Sequence, residues 1–411
     1  MPVDAVAAVE EVYRSDWGRI VATLIRLIGD FDLAEEVAQE AFAIAIEKWK
    51  TEGVPEFPRA WIIQTARHKA IDRIRRKTRF EDDLDAHPEI ELGRTVVPDY
   101  DIGEIPDDLL RLIFTCCHPS LSHEAQVALT LRSLCGLETD EIARAFLVPV
   151  ETMAQRIVRA KRKIRDARIP YVVPNMSDMP DRLEAVETVI YLVFNEGYAS
   201  TRGDSLVRTD LCGEAIRLAR LVRQLMGPQV PAEATALLAL MLLQDARRDA
   251  RLDAAGDIVT LEEQDRSRWN RTQIDEALPL VEEALRGGAG PFALQAAIAA
   301  LHCQTARAEN TDWQQIVGLY DLLERQQPSP VVALNRAVAV AMAEDLGAGL
   351  AIIDGLHELE NYHLLHAARA DLLRRMGARE KAALSYQRAL ALATNDSERR
   401  YLQRRLREVQ G

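Results

Sequence analysis

The sequence predicts an all-α protein, and three observations carry that expectation. Ala, Leu and Arg abound while aromatic residues make up only 5% of the chain, which favours helices over sheets. Apolar residues recur at helical spacing, not in strand-like alternation, through most of the length. Gly and Pro gather in breakers between those periodic stretches. A chain of 411 residues is long enough for two to four domains at roughly 150 residues each. It holds no apolar run of about 18 residues, so no membrane span is expected. Its acidic start, MPVDAVAAVEEVYRSDWGRI, lacks the apolar segment of a secretory leader. Cys116, Cys117, Cys135, Cys212 and Cys303 are few and odd in number. That usage fits the reducing cytoplasm and not a disulfide scaffold.

Residues 1–80 form the first expected domain. Leu33, Val37, Ala41, Ala45 and Trp49 repeat every fourth residue, with Asp32 as a candidate N-cap and Glu35 three residues on. The breaker Gly53-Val54-Pro55-Glu56-Phe57-Pro58 ends that helix. The next runs from about Arg59 to Arg79, with Trp61, Ile62, Ala66, Ala70 and Ile74 inward. Residues 81–107 lack periodicity, mix acids with Pro and Gly, and read as a linker. Residues 108–170 return to helices: one through Leu109–Ile113, one after Ser122, one from Thr139 through Phe146 and one from Glu151 to Arg168. Helix, Gly-containing turn, short helix, turn and basic helix spell helix-turn-helix. Pro170, Pro174 and Pro180 mark the next boundary. Residues 171–411 are Ala/Leu-rich helical text, in which Gly377, Ala382, Tyr386 and Ala389 fit a tetratricopeptide unit. A weaker copy spans Ala333–Leu356.

The net charge of -13 argues against nucleic acid only until its distribution is seen. Residues 61–80 carry Arg67, Lys69, Arg73, Arg75, Arg76, Lys77 and Arg79 against the single acid Asp72. Residues 151–170 carry seven basic residues against Glu151 and Asp166. The stretch between them carries eleven acids, Glu81 to Asp108, against Arg94. Local stripes set the field that a polyanion meets.

Two constellations carry chemistry for nucleic acid. The start of the last basic helix offers Glu151, Thr152, Gln155, Arg156 and Arg159 to base edges. Arg grips guanine O6 and N7, Gln grips adenine N6 and N7, and Glu accepts from cytosine N4. Lys161, Arg162, Lys163 and Arg165 suit phosphates, while Met153, Ile157 and Ile164 face the core. Upstream, Phe57 and Trp61 stand beside a basic helix, as in sites that capture unstacked bases. Composition alone favours a plainer reading of that pair, a hydrophobic staple with a core anchor. Cys116-Cys117-His118 with His123 reads as buried and structural, because adjacent helical cysteines diverge and zinc sites prefer separated pairs. His302 beside Cys303 reads as core. No phosphate loop, nucleophile elbow or paired-carboxylate signature is present, so no enzyme, catalytic residue, cofactor or metal is expected.

Together these residues resemble a bacterial extracytoplasmic-function (ECF) sigma factor of the sigma-70 superfamily. Residues 29–49 resemble the region 2 helix that docks on core RNA polymerase, with Glu36, Gln39 and Glu40 on its acid-x-x-Gln-Glu pattern. Residues 58–76 resemble the segment that reads the -10 promoter element. The resemblance assigns Phe57, Trp61, Arg67, His68, Lys69, Arg73, Arg75 and Arg76 to that contact; His68 stands where Asn is usual. Residues 122–165 resemble region 4, which reads the -35 element, with Glu151, Thr152, Gln155, Arg156, Arg159, Lys161, Arg162 and Lys163 toward DNA. Ala154 stands where a polar or basic residue is common. Residues 171–411 resemble the tetratricopeptide-like extension of one ECF group, with Tyr191–Tyr198 as its signature; Gly197 reads there as the residue after a helix end. The resemblance implies core RNA polymerase and promoter DNA as partners, a regulatory protein or ligand at the extension, and modulation of activity by it. The rival reading is a stand-alone helix-turn-helix regulator with a partner-binding helical repeat. It leaves residues 29–76 unexplained.

Overall fold

Helix boundaries follow from the breakers. The structure, a computed structural model, describes residues 5–81, 108–133, 136, 137, 139–145, 148–169, 171–175, 180–198 and 209–411. The acidic linker, residues 82–107, lies outside them. Among the described residues the chain is helical with no strand, apart from one isolated bridge between Leu252 and Ile258. Its contacts divide into two units, Met1–Val189 and Ile190–Gly411.

The first unit opens with α1 (Ala5–Ile28), α2 (Phe31–Glu52) and α3 (Pro58–Glu81). Gly29 and Gly53, with φ of 76° and 82°, supply the left-handed turns between them. The cap of α2 is Asp30, not the expected Asp32: its side chain accepts from the Leu33 N–H at 2.8 Å. Gly29 ends α1 one residue before it, so Asp30 is the last extended position. Ile20, Val21, Leu24, Val37, Ala41, Ala45, Ile62 and Ala66 fill the bundle. Small Ala residues on α2 let the three helices close together.

Then come α4 (Asp108–Cys116), α5 (His123–Ser133), α6 (Thr139–Ala145) and α7 (Val150–Asp166). Leu129, Leu131, Ile142, Met153, Ile157 and Ile164 make their shared core, and α5, α6 and α7 pack on one another in the helix-turn-helix manner. Cys116 and Cys117 are both buried. Burial pushes the Cys117 thiol up to about 12 and the Cys116 thiol well above its ordinary value, as inert packing residues require.

Helix α8 (Pro180–Tyr198) crosses into the second unit. There α9 (Thr209–Met226), α11 (Arg271–Gly287) and α12 (Pro291–Cys303) surround α10 (Ala232–Asp245). Every residue of α10 from Ala234 to Leu243 is buried, and so it is apolar all round. Next, α13 (Trp313–Gln326), α14 (Pro330–Ala343), α15 (Leu346–Asp354), α16 (His363–Arg375), α17 (Arg379–Leu392) and α18 (Asp396–Gln410) stack, each on the one before. The α16–α17 hairpin turns at Gly377, φ 76°, and buries Ala382, Tyr386 and Ala389. The expected weaker copy is the α14–α15 hairpin. The long connection between α10 and α11 is pinned by helices late in the chain: Arg375 to Glu262 at 2.6 Å, Arg400 to Asp257 at 2.8 Å and Arg405 to Glu263 at 2.6 Å.

Gly197 corrects the sequence reading. It lies inside α8, not past its end, and is absent from the glycines with positive φ. A Cβ there would stand 2.7 Å from the Cys212 backbone N and 2.9 Å from its Sγ. Its role is therefore close approach of α8 and α9. Gly197→Ala forces those helices apart, and we expect a loss of about 1–3 kcal/mol, read as a lower urea midpoint for the second unit. An unchanged midpoint would show that the crossing yields freely.

Candidate polymerase and nucleic-acid interface

Helix α2 presents the acidic pattern on its outer face. Val37, Ala41, Ala45 and Trp49 are buried, while Glu36 and Gln39 are exposed and Glu40 is half-buried. Arg73 of α3 reaches across to both Glu36 and Glu40. The hydrogen bond to Glu36, with the charges of both carboxylates, holds its guanidinium above an already high ordinary value. Sequence reading had placed Arg73 on DNA and the two glutamates on polymerase, and did not foresee that they meet.

On α3, Ile62, Ala66 and Ala70 turn inward. His68, Arg75 and Arg76 are exposed, and Arg67 and Lys69 are half-buried. In the loop before it, Phe57 is 62% exposed. Trp61 meets Trp49 edge to face, ring centres 5.6 Å apart. Half of the plainer reading holds: Trp61 packs on α2 as an anchor, whereas Phe57 staples nothing and is left as an exposed aromatic beside a basic helix.

Helix α7 is two-faced. Met153, Ile157, Ala160 and Ile164 are buried; Glu151, Thr152, Gln155, Arg159, Arg162 and Lys163 are exposed; Arg156 is half-buried. Its period places those side chains on one outward stripe. Arg159, Arg162, Lys163, Asp166 and Ala167 line a shallow pocket of about 390 Å³. Lys163 also donates to the Ser120 carbonyl. Lys161 is the exception: its side chain is only 12% exposed and bonds Asp32 at 3.2 Å and Glu35 at 3.0 Å.

That pair is part of a wider joint between the bundle α1–α3 and the helices α4–α7. Asp108 at the start of α4 accepts from Arg26 at 2.9 Å and Thr23 at 3.2 Å. The Tyr171 hydroxyl donates to the Asp108 carbonyl at 2.6 Å and lies 3.0 Å from the Ala22 carbonyl. A Cβ on Gly136 would stand 3.2 Å from the Trp17 ring, so only glycine fits that approach easily. Nothing in the local pattern signals this joint, since its partners lie about 60 to 150 residues apart. Among the described residues, no group of three or more His, Cys, Asp or Glu is placed to hold a metal ion. No described helix is long and apolar enough to cross a membrane.

Comparison with known proteins matches this geometry. Residues 12–80 match Sigma-70 region 2 and residues 111–164 match Sigma-70 region 4. The chain is 28% identical over 171 residues to the ECF RNA polymerase sigma factor SigW of Bacillus subtilis, covering 39% of this chain and 88% of that one. This chain belongs to the ECF sigma-70 factors. A probable ECF RNA polymerase sigma factor, SigI of Mycobacterium tuberculosis, is 27% identical over 164 residues, 39% of this chain and 56% of its own. An uncharacterized protein of Rhizobium meliloti is 46% identical over 396 residues, 94% of this sigma factor and 92% of that protein. Residues 182–285 match a family of unknown function, DUF6596. No solved structure matches. The sigma factor therefore serves RNA polymerase in transcription initiation, and the stand-alone regulator reading is not favoured.

The Lys161 contact is testable by itself. A double-mutant cycle on Lys161→Ala and Glu35→Ala, read by urea unfolding of the first unit, should give a coupling of about 0.5–1.5 kcal/mol. Purely additive single losses would mean that the contact holds no energy.

Proposed function

We propose that this sigma factor divides promoter recognition between its two basic stripes. The observation that carries the reading is the outward stripe of α7 set against a buried apolar one. Glu151, Thr152, Gln155, Arg156 and Arg159 read bases of the -35 element, and Arg162 and Lys163 hold phosphates. Lys161 joins them once it leaves Asp32 and Glu35. At the -10 element, Phe57 and Trp61 receive an unstacked base, with Arg67, His68, Lys69, Arg73, Arg75 and Arg76 along the strand. Unstacking costs a few kcal/mol, offset by the other contacts. Glu36, Gln39 and Glu40 dock on core polymerase, which supplies the catalysis; the sigma factor performs no reaction. The work takes place in the cytoplasm.

The linker, residues 81–107, can reach about 90 Å at roughly 3.3 Å per residue, enough to let the two modules reach separate promoter elements. We place it in a basic channel of the polymerase, where its acids find partners. Residues 171–411 modulate the activity of the front portion through a regulatory protein or ligand.

Run-off transcription with purified core polymerase tests this assignment. Arg156→Ala should cost about 1–3 kcal/mol at promoters bearing its base and little elsewhere. Lys163→Ala should weaken all promoters alike and lower the salt slope by about 1. Equal losses at every promoter for both variants would overturn the division. For the extension, a chain ending at Val172 should differ in transcript output from the full chain. Equal output would remove its regulatory role.

A further inference from the structure

The second unit gathers three guanidinium groups that bond no carboxylate among the described residues. Arg247 donates to the Tyr198 hydroxyl at 3.0 Å and to the Gln244 side chain. Arg251 donates to the Tyr198 carbonyl and lies over the Tyr198 ring, 3.5 Å from its centre. Arg266, itself more than nine-tenths buried, donates to the carbonyls of His302 and Thr305 at 2.7 and 2.8 Å. Every hydrogen-bond partner that the described residues give these three groups is a neutral oxygen. Two carboxylates act on the group by charge: Asp245, which is taken by Arg248 at 2.9 Å and Gln273 at 2.8 Å, and Glu309, which faces Arg266 with no hydrogen bond to it among the described residues.

Trp269 ties the group together. Arg266 lies 4.8 Å and Arg247 6.0 Å from its ring centre. The ring is buried, and its Nε1–H has no acceptor among the described residues. His302, beside Arg247 and Arg266, adds no balance: burial first, then those two charges, lower it to about 4. Burial also lowers Arg251 and Arg266 below the ordinary arginine value. Arg247, Arg251 and Tyr198 keep part of their surface in solvent. A half-buried set of donors with three like charges and an orphan indole N–H is costly empty and satisfied by oxyanion oxygens.

We propose that Arg247, Arg251 and Arg266, with Trp269, form a receptor site for a small anion bearing phosphate or carboxylate groups. The aromatic faces here already carry guanidinium groups, so the site selects charge over a flat ring. This inference does not rest on the promoter reading and is tested without polymerase.

The test uses the full chain, titrated separately with inorganic phosphate and with citrate, while sodium chloride holds the ionic strength constant. Thermal unfolding is followed by tryptophan fluorescence. At least one anion should raise Tm in a saturable way. A response to phosphate alone identifies a phosphate-bearing ligand, and one to citrate alone a carboxylate-bearing one. Arg251→Gln should weaken the apparent Kd about tenfold or more and leave the unliganded Tm unchanged or raised, because a repelling charge is gone. Arg220→Gln, which breaks the ion pair with Glu276, should leave the anion response intact. A Tm that phosphate and citrate move no more than chloride does overturns the site. So does an Arg251→Gln protein that loses stability yet keeps the full response.

Discussion

The bond from Lys161 to Asp32 and Glu35 is the constraint on which the front half turns. In the proposed assignment, the acidic α2 faces the polymerase and the basic α7 faces DNA. Here a base from the second is spent on acids at the start of the first. On that assignment, the bond holds Lys161 away from DNA. Asp108 and Tyr171 reinforce the joint through Arg26, Thr23 and the Ala22 carbonyl of α1. On the proposed assignment, polymerase and DNA supply the free energy that releases Lys161 from Asp32 and Glu35.

Arg73 follows the same logic on a smaller scale. Its two glutamates hold it against α2, so the residue assigned to the -10 element and those assigned to polymerase are one electrostatic unit. A polymerase cation that takes over Glu36 and Glu40 would free Arg73 for a phosphate.

Much of this was legible in the sequence because it is local. The i, i+4 apolar spacing of Val37, Ala41, Ala45 and Trp49 fixed which face of α2 is inside, and the same rule sorted α7 into Met153, Ile157 and Ile164 against its basic stripe. Gly377, Ala382, Tyr386 and Ala389 marked the α16–α17 hairpin for the same reason. What escaped were pairings between distant segments. Nothing near Lys161 announces Asp32, and nothing near Arg247 announces Trp269. Asp32 lost the capping role to Asp30 because Gly29 turns the chain one residue before Asp30. Gly197 did carry a signal: glycine inside a helix is costly, and it persists where another backbone comes close.

The arginines of α16 and α18 that grip the connection after α10 change what kind of object the extension is. An open stack of hairpins tolerates loss or gain of a terminal unit, since each unit leans only on its neighbour. Here the last helix is also a fastener for the segment that follows the most buried helix of the unit. Loss of α18 would therefore loosen the connection between α10 and α11 as well as the stack it packs on.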